Sequence, residues 1–282
     1  MTWTPGWESS PLAHASSRPA EAATGGDAGA ALARAEALFE EASDAGRLRQ
    51  AIAAYDEALL LAPEAGDVLV RLAEAHILYG AAYAGGRREK ALSYTTGIRY
   101  SEQAMAANPG FRRRVDAGEA LGEASAELGL EDMRAMLFWV TGVSYYYKEC
   151  LSGPGHLLHF RWMLRTRQVM ERMMALDPGF EEGAVPFSLA IYFIGLPPSA
   201  GGDLQRAGEL LAQAVAESPT SLLPRWGRAK YLHIKTGDRA AFRRELEWVV
   251  EQNPAAAASP LRWNVYFQRD ARELLSQVER WF

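Results

Sequence analysis

His156 and His159 stand three apart in the run Gly153-Pro154-Gly155-His156-Leu157-Leu158-His159-Phe160. On a helix that spacing puts both imidazoles on one face, which is how many metal sites begin. Two ligands fall short of the three or four that zinc takes, and no carboxylate stands close by in sequence, so no metal is expected. His14, His76 and His233 are scattered. The carboxylate pairs Glu40-Glu41, Glu131-Asp132 and Glu181-Glu182 are sequence neighbours. Adjacent helix positions diverge by about 100°, so these pairs do not converge on one substrate and are expected to be solvated. Gly201-Gly202-Asp203 has the composition of an anion cradle, but a turn whose aspartate caps the next helix explains it more simply. Cys150 is the single cysteine, which excludes an intrachain disulfide and a thiolate cluster and points to a buried free thiol. The sequence contains no H-E-x-x-H, P-loop, G-x-S-x-G or paired-cysteine pattern. Neither a catalytic residue nor a cofactor is expected, and binding is the function class left standing.

Binding chemistry concentrates in aromatic residues. Between Phe138 and Trp162 lie Trp139, Tyr145, Tyr146, Tyr147 and Phe160. Three consecutive helical tyrosines span about 200° of circumference, so they cannot all face one core. A tyrosine gives a pocket wall an apolar ring with a hydroxyl at its tip. Tyr192 and Phe193 form a second cluster; Trp263, Asn264 and Phe267 form a third. The expected ligand-binding set is therefore Trp139, Tyr145, Tyr146, Lys148, Tyr192, Trp263 and Asn264, with Arg161 as a further polar contact. The competing expectation is that Trp139 and Tyr146 are plain core.

The elements that would position these residues are helices. Residues 1–29 carry Pro5, Pro11 and Pro19 among small residues and show no helical stripe; they read as a flexible arm, with Trp3 and Trp7 docking locally or tethering a partner. Residues 30–282 are rich in alanine and leucine, with apolar residues recurring at three- and four-residue spacing. The flanks of Trp139–Tyr147 continue a helix, despite the strand-like aromatic content. Five apolar helices are expected to end at Pro63, Pro109, Pro178, Pro219 and Pro254, since proline lacks an amide donor and restrains its predecessor. Ala51, Tyr55, Ala58 and Pro63 match the small-large-small-proline pattern of a tetratricopeptide second helix, as do Ala207, Leu211, Ala214 and Pro219. Gly97, Ala104 and Pro109 match in part. The expected fold is all-α: a tetratricopeptide-like helical-repeat bundle or superhelix with a central groove or pore, occupying residues 30–282.

Charge narrows the partners. The 30 basic and 35 acidic residues leave a net charge of −5, and the densest basic run, Arg112-Arg113-Arg114, is followed by Asp116 and Glu119. Nucleic acid is not an expected partner. No stretch reaches the roughly 18 consecutive apolar residues of a membrane span, and no basic-then-apolar export signal is visible.

Three segments resemble the T-component (TatT) proteins of TRAP transporters: Leu137-Phe138-Trp139-Val140-Thr141-Gly142; Pro197-Pro198-Ser199-Ala200-Gly201-Gly202-Asp203 leading into Ala207; and Leu261-Arg262-Trp263-Asn264 before Arg269-Asp270-Ala271-Arg272-Glu273-Leu274-Leu275. With the repeat ending at Pro63, the resemblance covers roughly residues 30–282. It implies a non-catalytic accessory protein, a TRAP substrate-binding partner, a small apolar or organic-acid ligand, a homo-oligomer (a trimer) and a periplasmic location. The sequence as given shows no leader or lipobox cysteine, which keeps a cytoplasmic location as the alternative. A protein-protein interaction scaffold, or an assembly subunit of a larger complex, is the alternative function.

Overall fold

A computed structural model describes residues 25–282 except Glu64, and among these residues the regular structure is entirely helical. The protein is all-α, as its periodicity implies. Most of the expected arm lies outside the described residues; α1 (Gly25–Glu40) covers its last positions. The chain divides into two compact units, Met1–Arg172 and Met173–Phe282.

In the first unit α1 packs on α2 (Ala45–Leu61), and α2 on α3 (Gly66–Ala82). Asp44 starts α2 by accepting hydrogen bonds from the amides of Gly46 (2.8 Å) and Arg47 (2.9 Å). Ala51, Tyr55 and Ala58 all face the core. The centre of the unit is α3 against α4 (Arg87–Met105), and α4 against α7 (Met133–Cys150). Glycines let these backbones approach. A Cβ on Gly97 would lie 2.6 Å from Ile77 Cγ1, and one on Gly142 would lie 2.7 Å from Ile98 Cγ1. Between α4 and α7 run the short α5 (Pro109–Asp116) and α6 (Leu121–Ala124); α8 (Gly153–Leu158) and α9 (Phe160–Leu176) follow.

The second unit pairs α10 (Phe180–Gly195) with α11 (Leu204–Glu217). Asp203 caps α11, accepting from the Arg206 amide at 2.9 Å, as the turn composition implies. Ala207, Leu211 and Ala214 are fully buried. The chain continues through α12 (Leu222–Gly227), a π-helical turn (Arg228–His233) and α13 (Ile234–Thr236). It ends in the packed pair α14 (Arg239–Glu251) and α15 (Leu261–Ser276).

All five proline endings fall where expected: α2, α4, α9, α11 and α14 stop at Leu61, Met105, Leu176, Glu217 and Glu251, each two to four residues before its proline. Pro109 also opens α5, where Asn108 accepts from the Gly110 amide at 3.0 Å. Two features depart from expectation. Asp132 is buried, accepting from the Gly129 amide (2.9 Å) and Asn108 Nδ2 (3.0 Å), because it closes the turn that leads into α7. Glu181, Glu182 and Gly183 form a left-handed turn (φ 48°, 54° and 83°) at the start of α10. There a Cβ on Gly183 would come within 3.0 Å of the Ala214 backbone, so glycine is needed for space as well as for φ.

Candidate functional site

The aromatic run of α7 fans out. Tyr145 stacks on Tyr94 of α4 with centroids 5.5 Å apart and planes 10° from parallel. Tyr146 meets Trp162 of α9 at 6.1 Å. Tyr147 meets His156 of α8 at 4.7 Å. Consecutive helical residues point about 100° apart, so three tyrosines reach three different helices and all remain half-buried. Burial raises the phenol pKa of Tyr146 and of Tyr147.

Trp139 sits about two turns earlier and is 1% exposed. Its Nε1 donates to Glu102 Oε1 at 3.2 Å, and Glu102 is itself buried on α4. Lys148 is exposed. Thus in the first unit the structure places Tyr145 and Tyr146 against different ring partners, closes Trp139 into the core and leaves Lys148 at the surface.

The polar chemistry beside Tyr145 comes from residues the sequence did not single out. Glu149 Oε2 accepts from Tyr94 Oη and from Lys90 Nζ, both at 2.8 Å. The Tyr94 phenol is pushed far up, first by burial and then by the Glu149 carboxylate. One helix end further on, the Arg87 guanidinium donates to the Cys150 carbonyl, at 2.8 Å from Nε. The Cys150 thiol is buried as expected, and burial raises its pKa to about 11, which keeps it protonated and unreactive at neutral pH. The arrangement is a half-buried Tyr145 backed by a fully buried Tyr94 and edged by a lysine–glutamate ion pair. It can hold an amphiphilic group, and it has no activated nucleophile.

His156 and His159 serve packing. His156 Nε2 lies 2.8 Å from the Tyr147 carbonyl, Tyr147 Oη donates to the His156 carbonyl at 2.9 Å, and His159 stacks on Trp162 at 4.0 Å. Among the described residues no group of three or more His, Cys, Asp or Glu side chains is placed to hold a metal ion.

The second unit is built around Trp226, which is 1% exposed. Phe187, Tyr231, Tyr266 and Phe267 surround it, with centroids 4.8–6.5 Å away. Its Nε1 donates to Asp270 Oδ2 at 2.7 Å, and Lys230 Nζ reaches both Asp270 oxygens at 2.9 Å while lying 4.8 Å above the indole. The π turn carries Lys230. Such widened turns frequently occur at functional sites. Nearby, buried Glu245 pairs with Arg225 at 3.2 Å and with Arg228, and Arg225 lies 4.3 Å over Trp248.

Of the predicted residues in this unit, Trp263 stacks with Phe267 at 5.9 Å and is half-buried. Asn264 is fully buried, and its Nδ2 donates to the Pro254 carbonyl at 3.0 Å and to that of Ser259, which pins the α14–α15 connection. Tyr192 is buried edge-on to Phe193 at 5.5 Å. Sequence reasoning missed Lys230, Asp270 and Trp226. Trp226 and Lys230 stand at i and i+4, but their shared partner Asp270 lies 44 and 40 positions away, where no local spacing points to it.

Among the described residues no helix is long and apolar enough to cross a membrane. A search of curated protein sequences finds no match. The model of the TRAP transporter T-component family (TAtT) matches residues 51–282. It takes in both units from the second half of α2 to the last residue, and so the chain belongs to the TRAP transporter T-component family, a family of accessory transporter components.

Proposed function

We propose that this T-component works in the periplasm by associating with the substrate-binding subunit of a TRAP transporter and handling a small apolar or organic-acid ligand. The observation that carries the proposal is the family match over residues 51–282. On this reading the helix pairs stack as tetratricopeptide-like repeats around a groove, the protein forms a homo-oligomer, a trimer, and it catalyses nothing. The ligand half is supported by the Tyr94–Tyr145 pair, where the half-buried Tyr145 ring stacks on the buried Tyr94 beside the Lys90–Glu149 ion pair. Trp139, Tyr146 and Lys148 complete the proposed set in the first unit, and Tyr192, Trp263 and Asn264 make up a separate proposed set in the second, with Trp139 and Asn264 acting by supporting their neighbours.

Native mass spectrometry of the purified protein tests the ligand and the oligomer together. A trimer carrying a co-purified apolar or organic-acid adduct is the expected result. Titration with a purified TRAP substrate-binding protein, followed by calorimetry, tests the partner. An adduct-free protein that binds a peptide segment instead would assign the chain to the interaction-scaffold class. Absence of both a ligand and a partner would sink the proposal.

A further inference from the structure

The corner formed by α8 and the start of α9 has an unusual surface. None of the six residues of α8 is buried, and Leu157 and Leu158 are 83% and 75% exposed. On α9, Leu164 is 46% exposed. Arg161, Leu164, Arg165 and Gln168 follow at i, i+3, i+4 and i+7, so they share one helix face, and with Ala120, Arg167 and Glu171 they line a shallow depression. Trp162, Met163, Thr166, Val169 and Met170 occupy the other side and are buried. The outward stripe is therefore fixed by the packing of the inward one. Between Glu149 and Glu171 the sequence has no carboxylate and three arginines, within a chain of net charge −5. The corner is held in place by the reciprocal Tyr147–His156 contacts to each other's carbonyls.

We propose that this corner is a membrane-contacting surface, which seats Leu157 and Leu158 among the acyl chains of an anionic phospholipid leaflet while Arg161 and Arg165 bind its phosphates. Exposed leucines beside arginines, with no acid between them, form the pattern of a peripheral lipid-binding helix. The extent of the patch separates a lipid surface from a protein partner. Three exposed leucines offer too little apolar area for the ~800 Å2 per partner of a stable protein interface. A bilayer needs only a small wedge and a cluster of positive charge. Arg167 pairs with Glu171 at 2.7 Å.

The test is co-sedimentation of the full chain with vesicles of phosphatidylcholine alone, or of phosphatidylcholine mixed with phosphatidylglycerol. Wild type is expected to bind only the mixed vesicles and to be released by salt. L157S/L158S and R161Q/R165Q are each expected to bind about tenfold more weakly. Should either double variant lose helical circular dichroism, the single substitutions Leu157→Ser and Arg161→Gln carry the same comparison. No binding to anionic vesicles, or equal binding by wild type and variants, overturns the proposal. Variants that keep vesicle binding but change the oligomer mass would assign the corner to a protein interface, and that too overturns it.

Discussion

The two units solve the same problem, burying polar groups in an all-helical core, by different means. In the first, glycines at 97 and 142 draw α3, α4 and α7 together, and the buried Glu102 accepts from an indole N–H. In the second, a ring of aromatic side chains surrounds Trp226, and the carboxylates of Glu245 and Asp270 are answered by full cations. Close backbone packing narrows the space between α3, α4 and α7 in the first unit. A wide aromatic core needs spacers, and arginine or lysine stems fill that role while their heads neutralise the acids. The comparison predicts that the first unit is sensitive to added volume at Gly142 and the second to removed volume at Trp226.

The largest expected effect is in the second unit. Trp226→Ala should destabilise it by about 3–5 kcal/mol, since a buried indole with four ring neighbours leaves a cavity that helices cannot readily close. Denaturant unfolding followed by hydrogen exchange in α12, α14 and α15 checks this. A cost below about 1 kcal/mol would mean that the aromatic ring does not hold the unit.

Next comes added volume. Gly142→Val in α7 should cost about 1–3 kcal/mol, because its Cβ meets Ile98 at 2.7 Å and Ile77 at 3.2 Å. Gly208→Ala in α11 of the second unit should be stabilising by about 0.5–1 kcal/mol, as its nearest neighbour, Leu232 Cδ2, is 3.8 Å away. Thermal midpoints of the two variants should therefore move in opposite directions. Equal shifts would erase the packing difference between the units.

The legibility of the fold follows from the range over which each cause acts. The proline endings, the cap at Asp203 and the buried Ala207-Leu211-Ala214 stripe act over at most a helical turn or two, so they stood in the sequence. The tyrosine fan of Tyr145, Tyr146 and Tyr147 followed from helical geometry alone, but which ring each would meet did not. Trp139–Glu102 and Trp226–Asp270 join residues 37 and 44 positions apart, and no local spacing announces such a partner. The left-handed Glu181-Glu182 turn and the π turn at Arg228–His233 contradict helical propensity because tertiary packing overrides it.

Histidine offers a smaller contrast, controlled by pH. Burial lowers the pKa of His76, in the first unit, to about 4. His233, in the second, is also lowered by burial, but Asp238 and Glu245 oppose the shift. A depressed histidine pKa means that the unfolded chain takes up a proton the folded chain refuses. The stability held above pH 6.5 should thus decline as pH falls towards about 4. Because the His76 ring is partly reached by solvent, about 2 kcal/mol is expected over that window. Urea midpoints at several pH values, compared with those of His76→Gln, isolate the contribution from the carboxylates. A variant with the same pH slope as wild type would show that the ring is hydrated.

The smallest effect is also the sharpest control, because here the units use one device. Asp44 starts α2 in the first and Asp203 starts α11 in the second, each with a side-chain oxygen 2.9 Å from the amide three residues on. Asp44 also accepts from the Gly46 amide, and these backbone donors are the first cause of its lowered pKa. Asp44→Ala and Asp203→Ala should each cost about 1 kcal/mol, read by chemical denaturation at pH 7. Replacement by asparagine should restore most of it, since Asn caps nearly as well without the charge. Matched losses would show that the units differ in their cores and not in how their helices begin. If one cap costs several times the other, the contrast between glycine-tight and aromatic-filled packing extends to helix ends, and the core alone does not explain it.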